Sequence, residues 1–446
     1  MSMKKLMEMN GAPCSCGRIH EFSAKVIVGK GAVGRIPELV QAYSARKVYL
    51  LADRNTWNAA GRRVHELLLG NAIACVNYCF DRDILEPDEW SVGSAVMHYD
   101  ASCDLILCVG SGVLNDIAKI VSAVSGKPYI IVGTAPSMDG YASASSSMTR
   151  DGLKISLPSR SADVIVGDTD ILCQAPLKMM KSGLGDMIAK YVSICEWRIA
   201  HLITGEYYCE EIAQLIRSAL KRCTDNAAGL LHREEAAVQA VFEGLVIGGV
   251  AMNYAGLSRP ASGVEHYISH VLDMRGAEFG IPVEFHGLQC AVGTLIAVRL
   301  YERLKTIKPD HRKALAYVDV FDYTAWSAQL RSLLGKGAES MVALEEKEQK
   351  YSKALHKDRL EVILANWDQI LRIIDEELPS AAELEKLLDI IQAPKTLAEI
   401  GVEETMLPVI FKATKDIRDK YVLSRLLWDL GVIEDVLLND RGQPCL

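Results

Sequence analysis

The 446-residue sequence has no surplus of positive charge: 57 Asp and Glu outweigh 49 Lys and Arg, for a formal net charge of -8. Phosphate backbones recruit excess Lys and Arg, so nucleic acid is not expected as the main partner, while a local basic pocket for a small phosphate fits the same total. Long apolar runs are missing too. The opening MSMKKLMEMNGAPCSCG holds no extended apolar core, so no secretion signal is expected. The most apolar later run, GLVIGGVAMNYAGL from Gly244, is shorter than a bilayer span and reads as a buried helix with small faces. Without an export signal, the 12 cysteines are expected as reduced thiols in a cytoplasm. Cys14-Ser15-Cys16 with His20 invites a zinc reading, but no CxxC or second cluster follows to complete four ligands, so no local metal is expected there. Internal repeats and low-complexity tracts are also absent.

What is present alternates. KVIVG (25–29), KVYLLAD (47–53), IACVNY (73–78), DLILCVGSG (104–112), PYIIVGT (128–134) and ADVIVGD (162–168) read as strands. Helical patterns separate the first five, such as TWNAAGRRVHELLLG and VLNDIAKIVSAVSG, which predicts a parallel sheet covered on both faces. ASASSSMT and LKISLPS, split by Arg150-Asp151-Gly152, predict a hairpin. After about residue 175 strand signals nearly vanish and helical spacing takes over. The expected organisation is therefore an α/β domain over 1–174 and an all-α domain over 175–446. The charged stretch near 335–375, with EEKEQKYSKALHKDRLE, predicts a solvated helix.

Two loops follow strands. In the first, Gly110-Ser111-Gly112-Val113-Leu114-Asn115-Asp116, glycines allow close backbone approach and a helix N-terminus offers N–H groups to an anion, as a pyrophosphate needs. It departs from the GxGxxG fingerprint, because Asn115 stands where the third Gly belongs, and the candidate ribose ligand Asp53 precedes the loop. The bland reading is a tight strand-to-helix turn. The second loop, Thr134-Ala135-Pro136-Ser137-Met138-Asp139-Gly140-Tyr141-Ala142-Ser143, ends the next strand; its hydroxyls suit a cofactor and Asp139 a hydroxylated substrate, unless it is a Ser-rich turn capped by Asp.

In SGVEHYISHVLDM, His266 and His270 stand one helical turn apart and share a face. His286 opens the helix of HGLQC, and Asp186 lies in SGLGDMIAKY. A carboxylate with two imidazoles is a mixed site that accepts Zn, Ni or Fe and, with an open position, can activate an alcohol oxygen.

GSGVLNDIAK, TAPSMDGYASASSSM, GLGDMIAKY, SGVEHYISHVLD and HGLQCAVGT, in that order, resemble the metal-dependent alcohol dehydrogenase and dehydroquinate synthase superfamily, and most of all its bacterial sn-glycerol-1-phosphate dehydrogenase branch. The likeness runs from about residue 20 to 310 and resumes at QAPKTLAEIGV and KDIRDKYVLSRLLWDLG. It implies an N-terminal α/β nucleotide domain, a helical C-terminal domain and an active site in the cleft between them. It implies metal ligation by Asp186, His266 and His286, substrate contact by Asp139, Asp186 and His270, and cofactor contact by Asp53, Gly110, Gly112 to Asp116, Thr134 to Ser137 and Ser143. The implied reaction is hydride transfer between NAD or NADP and C2 of a three-carbon phosphate, dihydroxyacetone phosphate with sn-glycerol 1-phosphate, in a cytoplasmic homodimer. A polyol dehydrogenase or a non-catalytic nucleotide-binding relative are the alternatives. A phosphate-binding group near the substrate would separate the first two, and Arg259 is the candidate.

Overall fold

The computed structural model describes residue 6, residues 8–150 and residues 153–438. Six parallel strands form one sheet: β1 (Lys25–Gly29), β2 (Lys47–Asp53), β3 (Ala74–Phe80), β4 (Leu105–Gly110), β5 (Tyr129–Gly133) and, after a hairpin of β6 (Ser145–Arg150) and β7 (Leu153–Pro158), β8 (Val164–Asp168). The order is β1-β8-β5-β4-β2-β3. β2, β4, β5 and β8 read as near-continuous apolar runs because helices cover both faces. The chain steps from β2 out to β3 and then back across β2 to β4, which makes the carboxyl ends of β2 and β4 the place where winding reverses. Such a point opens a crevice for ligands. Asp53 ends β2 and the Gly110–Asp116 loop leaves β4. β4 and β5 pair with Gly110 opposite Gly133, so the two loops singled out in the sequence leave adjacent strands at one level.

The predicted strands and the hairpin are present; its Asp151-Gly152 turn lies outside the described residues. The helix expected over TWNAAGRRVHELLLG is present and widens into a π-helical turn at Trp57–Gly61, where the indole of Trp57 packs 3.0 Å from the position of a Cβ on Gly61.

The chain forms two compact units, Met1–Met187 with Gln214–Leu257, and Ile188–Ala213 with Ser258–Leu446. In the first, the Glu235–Ala255 helix packs under the sheet: Phe242 fills the space that side chains on Gly133 and Gly167 would need, 2.7 and 2.3 Å from their Cβ positions. This 21-residue helix holds the apolar run from Gly244 as far as Ala255 and, unlike the run alone, is long and apolar enough to cross a membrane, but 78% of its apolar window is buried. The second unit carries no named strand among its described residues. The charged stretch near 335–375 is not one solvated helix. It is three, Ala338–Glu348, Lys353–Ala365 and Trp367–Glu377. The break falls at Gln349 (φ 49), and Tyr351 turns inward to stack on Phe321 at 4.0 Å and donate to buried Asp416 at 2.6 Å. Charge density in the sequence hid this inward aromatic. No disulfide links the eleven described cysteines.

Candidate active site

In the first unit, the Gly112–Ser125 helix starts at Ser111 without a side-chain cap, so the N–H groups of its first turn, Gly112 to Leu114, face the carboxyl end of the sheet uncapped. Leu114 folds back over Gly110 so closely that a Cβ there would lie 2.5 Å from it; only glycine fits. The polar side chains of this loop are bonded within the fold. Asn115 is fully buried, donates to the Gly140 carbonyl at 3.0 Å and accepts from the Tyr129 hydroxyl at 2.9 Å. Asp116 accepts from the Ser147 amide at 3.2 Å, and Ser143 donates to the Ser145 carbonyl at 3.0 Å. Lys119, which ends the GSGVLNDIAK motif but was given no role in the sequence reading, is buried and donates to the Gly140 carbonyl (2.6 Å), Ser143 Oγ (3.0 Å) and the Ser145 carbonyl (3.0 Å). Burial lowers its pKa, and burial raises that of Asp116 beside it.

The loop from Thr134 to Ser143 is equally fastened. Thr134, Ala135, Pro136 and Ser137 are buried. The Leu177–Ile188 helix approaches so tightly that a Cβ on Gly183 would lie 1.9 Å from the Pro136 carbonyl oxygen. From that helix Ser182 donates to the Ser137 carbonyl at 3.0 Å, and buried Asp186 accepts from the Asp139 amide at 2.9 Å. Asn253 donates to the Ala142 carbonyl at 2.5 Å. Asp139 and Asp186 are thus neighbours. Asp53 caps the helix after β2, its Oδ1 accepting from the Thr56 amide at 2.7 Å, which leaves Oδ2 for another partner.

In the second unit the Val264–Phe279 and His286–Leu304 helices pack together at Gly293, where a Cβ would lie 2.8 Å from the Glu265 carbonyl oxygen. This close approach brings the three histidines together: ring centroids are 5.1 Å apart for His266 and His286, and 6.1 Å for His270 and His286. Hydrogen bonding fixes which nitrogen of His266 and of His286 keeps its lone pair. Gln289 Nε2 donates to the Glu284 carbonyl (2.8 Å) and to Asp273 (3.2 Å), so its Oε1 is the acceptor for Ser269 Oγ at 2.7 Å. Having given its only proton to Gln289, Ser269 Oγ accepts from His286 Nδ1 at 2.9 Å. His286 is then the Nδ1–H tautomer with its lone pair on Nε2. His266 Nδ1 likewise donates to Glu265 Oε1 at 2.8 Å, which places its lone pair on Nε2. Outer partners that fix tautomer and ring orientation are what metal-binding imidazoles require. The donor set therefore fits a divalent metal. Cys290 adds a thiol 3.6 Å from His286 Nε2, and the three donor atoms lie within 4.8 Å of one another.

Around them stand groups the motifs did not single out. Glu265 Oε2 is buried without a hydrogen bond. Beside it Glu196 accepts from the Val264 and Leu423 amides at 2.9 and 2.8 Å, and burial, then the charge of Glu265, raises its pKa to about 8. His270 is held well below its usual pKa, first by desolvation and next by Arg418. Lys420 donates to Ser262 Oγ and to its carbonyl at 2.7 and 2.8 Å and lies 5.7 Å from the Tyr267 ring. Burial, then Arg259 and Arg418, lowers its pKa to about 7. Among the described residues, the buried Tyr267 hydroxyl has no hydrogen-bond partner. Arg259, the phosphate candidate of the sequence, is instead a structural group: it is 3% exposed, pairs with Glu206 through two nitrogens at 2.5 and 2.6 Å, and donates to the Tyr421 carbonyl. Lys420 lies in KDIRDKYVLSRLLWDLG, a stretch that the sequence reading used only for its family likeness.

Residues 27–176 match the model of the iron-containing alcohol dehydrogenase family. Solved structures agree in fold: glycerol dehydrogenase from Schizosaccharomyces pombe (TM-score 0.62, 17% identity, 94% of this chain and 91% of that one) and maleylacetate reductase from Rhizobium sp. strain MTP-10005 (0.60, 14%, 94% and 97%). Among curated sequences, the glycerol-1-phosphate dehydrogenase (NAD(P)+) of Halalkalibacterium halodurans is 27% identical over 92% of this chain and 94% of its own length. That of Methanosarcina mazei is 33% identical over 62% of this chain and 76% of its own. Within that class of metal-dependent alcohol dehydrogenases, the chain belongs to the glycerol-1-phosphate dehydrogenase family.

Proposed function

We propose that this protein interconverts dihydroxyacetone phosphate and sn-glycerol 1-phosphate, with NAD(P) as hydride partner and one divalent metal. Family membership supports the reaction and the cofactor class. The observation that carries the site reading is the pair of oriented imidazoles, His266 and His286, each with Nδ1 committed to an outer partner. Asp186 joins them as the third ligand in this proposal, and Zn, Ni or Fe suits the set. When bound, the metal supplies Lewis-acid polarisation of the substrate carbonyl.

The remaining work falls to the chain's own groups. The uncapped first turn of the Gly112–Ser125 helix holds the pyrophosphate, with Gly110 and Gly112 permitting the approach and Thr134 to Ser137 walling the nicotinamide side. Asp53 Oδ2 accepts from the ribose hydroxyls and disfavours a 2′-phosphate. Asp139 orients the substrate hydroxyls. His270, held neutral by burial and Arg418, contacts the substrate oxygen and exchanges a proton with it. Lys420, Arg418 and the unpartnered Tyr267 hydroxyl take the phosphate, the role that Arg259 is too committed to fill. Asn115, Asp116 and Ser143 contribute by holding the cofactor loops. A homodimer in the cytoplasm remains the expected setting.

NADH oxidation with dihydroxyacetone phosphate, run beside unphosphorylated dihydroxyacetone, tests this reading. Metal-dependent turnover of the phosphate alone, abolished by chelation and restored by add-back, is expected. Preference for the unphosphorylated ketone would move the protein to the polyol dehydrogenases.

A further inference from the structure

The segment Asn10–Phe22 is short and polar, yet tightly ordered. Asn10 closes it by a pair of hydrogen bonds with the Phe22 backbone, at 2.9 and 2.7 Å. Inside, the Cys14 amide donates to the Arg18 carbonyl and the Gly17 amide to the Cys14 carbonyl, both at 2.9 Å, with Gly17 at φ 82 making the turn that a side chain would strain. The turn brings Cys14 Sγ, Cys16 Sγ and a His20 nitrogen within 4.8 Å of one another. The sequence reading looked for a second CxxC, whereas here one short turn gathers three candidate donors.

The histidine is prepared as a ligand. His20 is 1% exposed, and its Nδ1 lies 3.0 Å from the Tyr254 carbonyl, an acceptor, so Nδ1 carries the proton and Nε2 the lone pair. Nε2 lies 3.4 Å from Cys16 Sγ. In a tetrahedral zinc site, Zn–S of about 2.3 Å and Zn–N of about 2.0–2.1 Å place sulfur and nitrogen about 3.6 Å apart, so the observed spacing suits a shared ion.

We propose that Cys14, Cys16 and His20 are ligands of a structural zinc, distinct from the metal of the proposed active site. Each cysteine gives up its proton to solvent on binding, and the two thiolates offset the charge of the dication. The site clasps the N-terminal segment onto the end of the Glu235–Ala255 helix, where His20 meets the Tyr254 carbonyl and the Tyr254 hydroxyl donates to the Leu6 carbonyl at 2.9 Å. One residue earlier, Asn253 holds the loop that carries Asp139. The clasp thus steadies a helix on which substrate positioning depends.

The test uses the full-length protein carrying His266→Ala and His286→Ala, which removes two ligands of the other site. It is expected to retain one equivalent of zinc by elemental analysis. Cobalt exchanged into that protein should show thiolate-to-metal charge-transfer absorption and tetrahedral ligand-field bands. Adding Cys16→Ser should remove the absorption and the equivalent, and single Cys→Ser changes elsewhere locate any further thiolate by the same loss. Absence of a zinc equivalent from the double variant, or a cobalt spectrum without thiolate character, overturns the proposal. If Cys16→Ser does not fold, the double variant alone decides.

Discussion

The two regions that carry candidate chemistry are built on opposite plans. In the loops after β4 and β5, polar side chains serve the loops themselves: Asn115 ties Tyr129 to Gly140, Lys119 gathers Gly140, Ser143 and Ser145, and Asp186 accepts from the Asp139 amide. In the proposed cofactor site, recognition is left mainly to backbone N–H groups and to Gly110, where a Cβ would meet Leu114 at 2.5 Å. Around His266 and His286 the side chains themselves are the instrument, and a second set, Glu265, Ser269 and Gln289, orients them. A pyrophosphate is broad and needs many weak donors on a rigid frame, whereas a metal is a point and needs few donors aimed well.

The cation side of the second region offers the largest effect. Lys420→Met removes a charge-assisted contact of roughly 1.5–3 kcal/mol, so kcat/KM for dihydroxyacetone phosphate should fall roughly 10- to 100-fold. Activity on unphosphorylated dihydroxyacetone should stay within a few-fold. With its pKa near 7, Lys420 is charged below that pH and neutral above, so kcat/KM for the phosphate substrate should decline as pH rises through about 7, and this limb should vanish in the variant. Equal losses on both ketones would remove Lys420 from phosphate recognition.

Next in size is Ser269→Ala. It leaves His286 without its Nδ1 acceptor and should weaken metal affinity about 10- to 100-fold, read by titration of apoenzyme, with activity recovered at saturating metal. A loss that excess metal cannot restore would show that Ser269 does more than orient the imidazole.

These contrasts also explain what could be read in the letters. The parallel sheet and its helices were legible because β2, β4, β5 and β8 are apolar runs between periodic helices. The ordered motifs named the histidines, yet they did not reveal that Ser269 and Gln289 set the tautomer of His286, because that relay joins two helices and has no sequence period. Asn115, in the place of a fingerprint glycine, read as a cofactor contact; only the fold shows it buried between Tyr129 and Gly140. Arg259 and Lys420 could not be ranked either. Both are cations near motifs, and the difference is that one meets Glu206 while the other meets a serine and an unpartnered tyrosine. Hydrogen-bond partners separated by long stretches of chain decide such roles, and composition carries none of them.

On the loop side, Asn115→Ala should act on stability first. It strands the buried Tyr129 hydroxyl and frees Gly140, at a cost of about 1–3 kcal/mol seen as a lowered Tm. KM for the nicotinamide cofactor should rise with kcat little changed, because the loop loosens while the metal side is intact. An unchanged cofactor KM would mean that Gly140 is held well enough by Lys119 and Ser143.

The smallest effect isolates charge from capping at Asp53. Its Oδ1 caps the helix after β2, and Asn caps about as well as Asp, so Asp53→Asn should leave Tm nearly unchanged. What it removes is the negative charge at the place where winding reverses. A 2′-phosphate would then meet no carboxylate, and the NADP-to-NAD ratio of kcat/KM should rise by a few-fold. Asp53→Gly, which costs the cap only a few tenths of a kcal/mol, should shift the ratio in the same direction. If neither change moves the ratio, Asp53 is a helix cap alone, and the choice between the cofactors rests with the backbone of the loop that leaves β4.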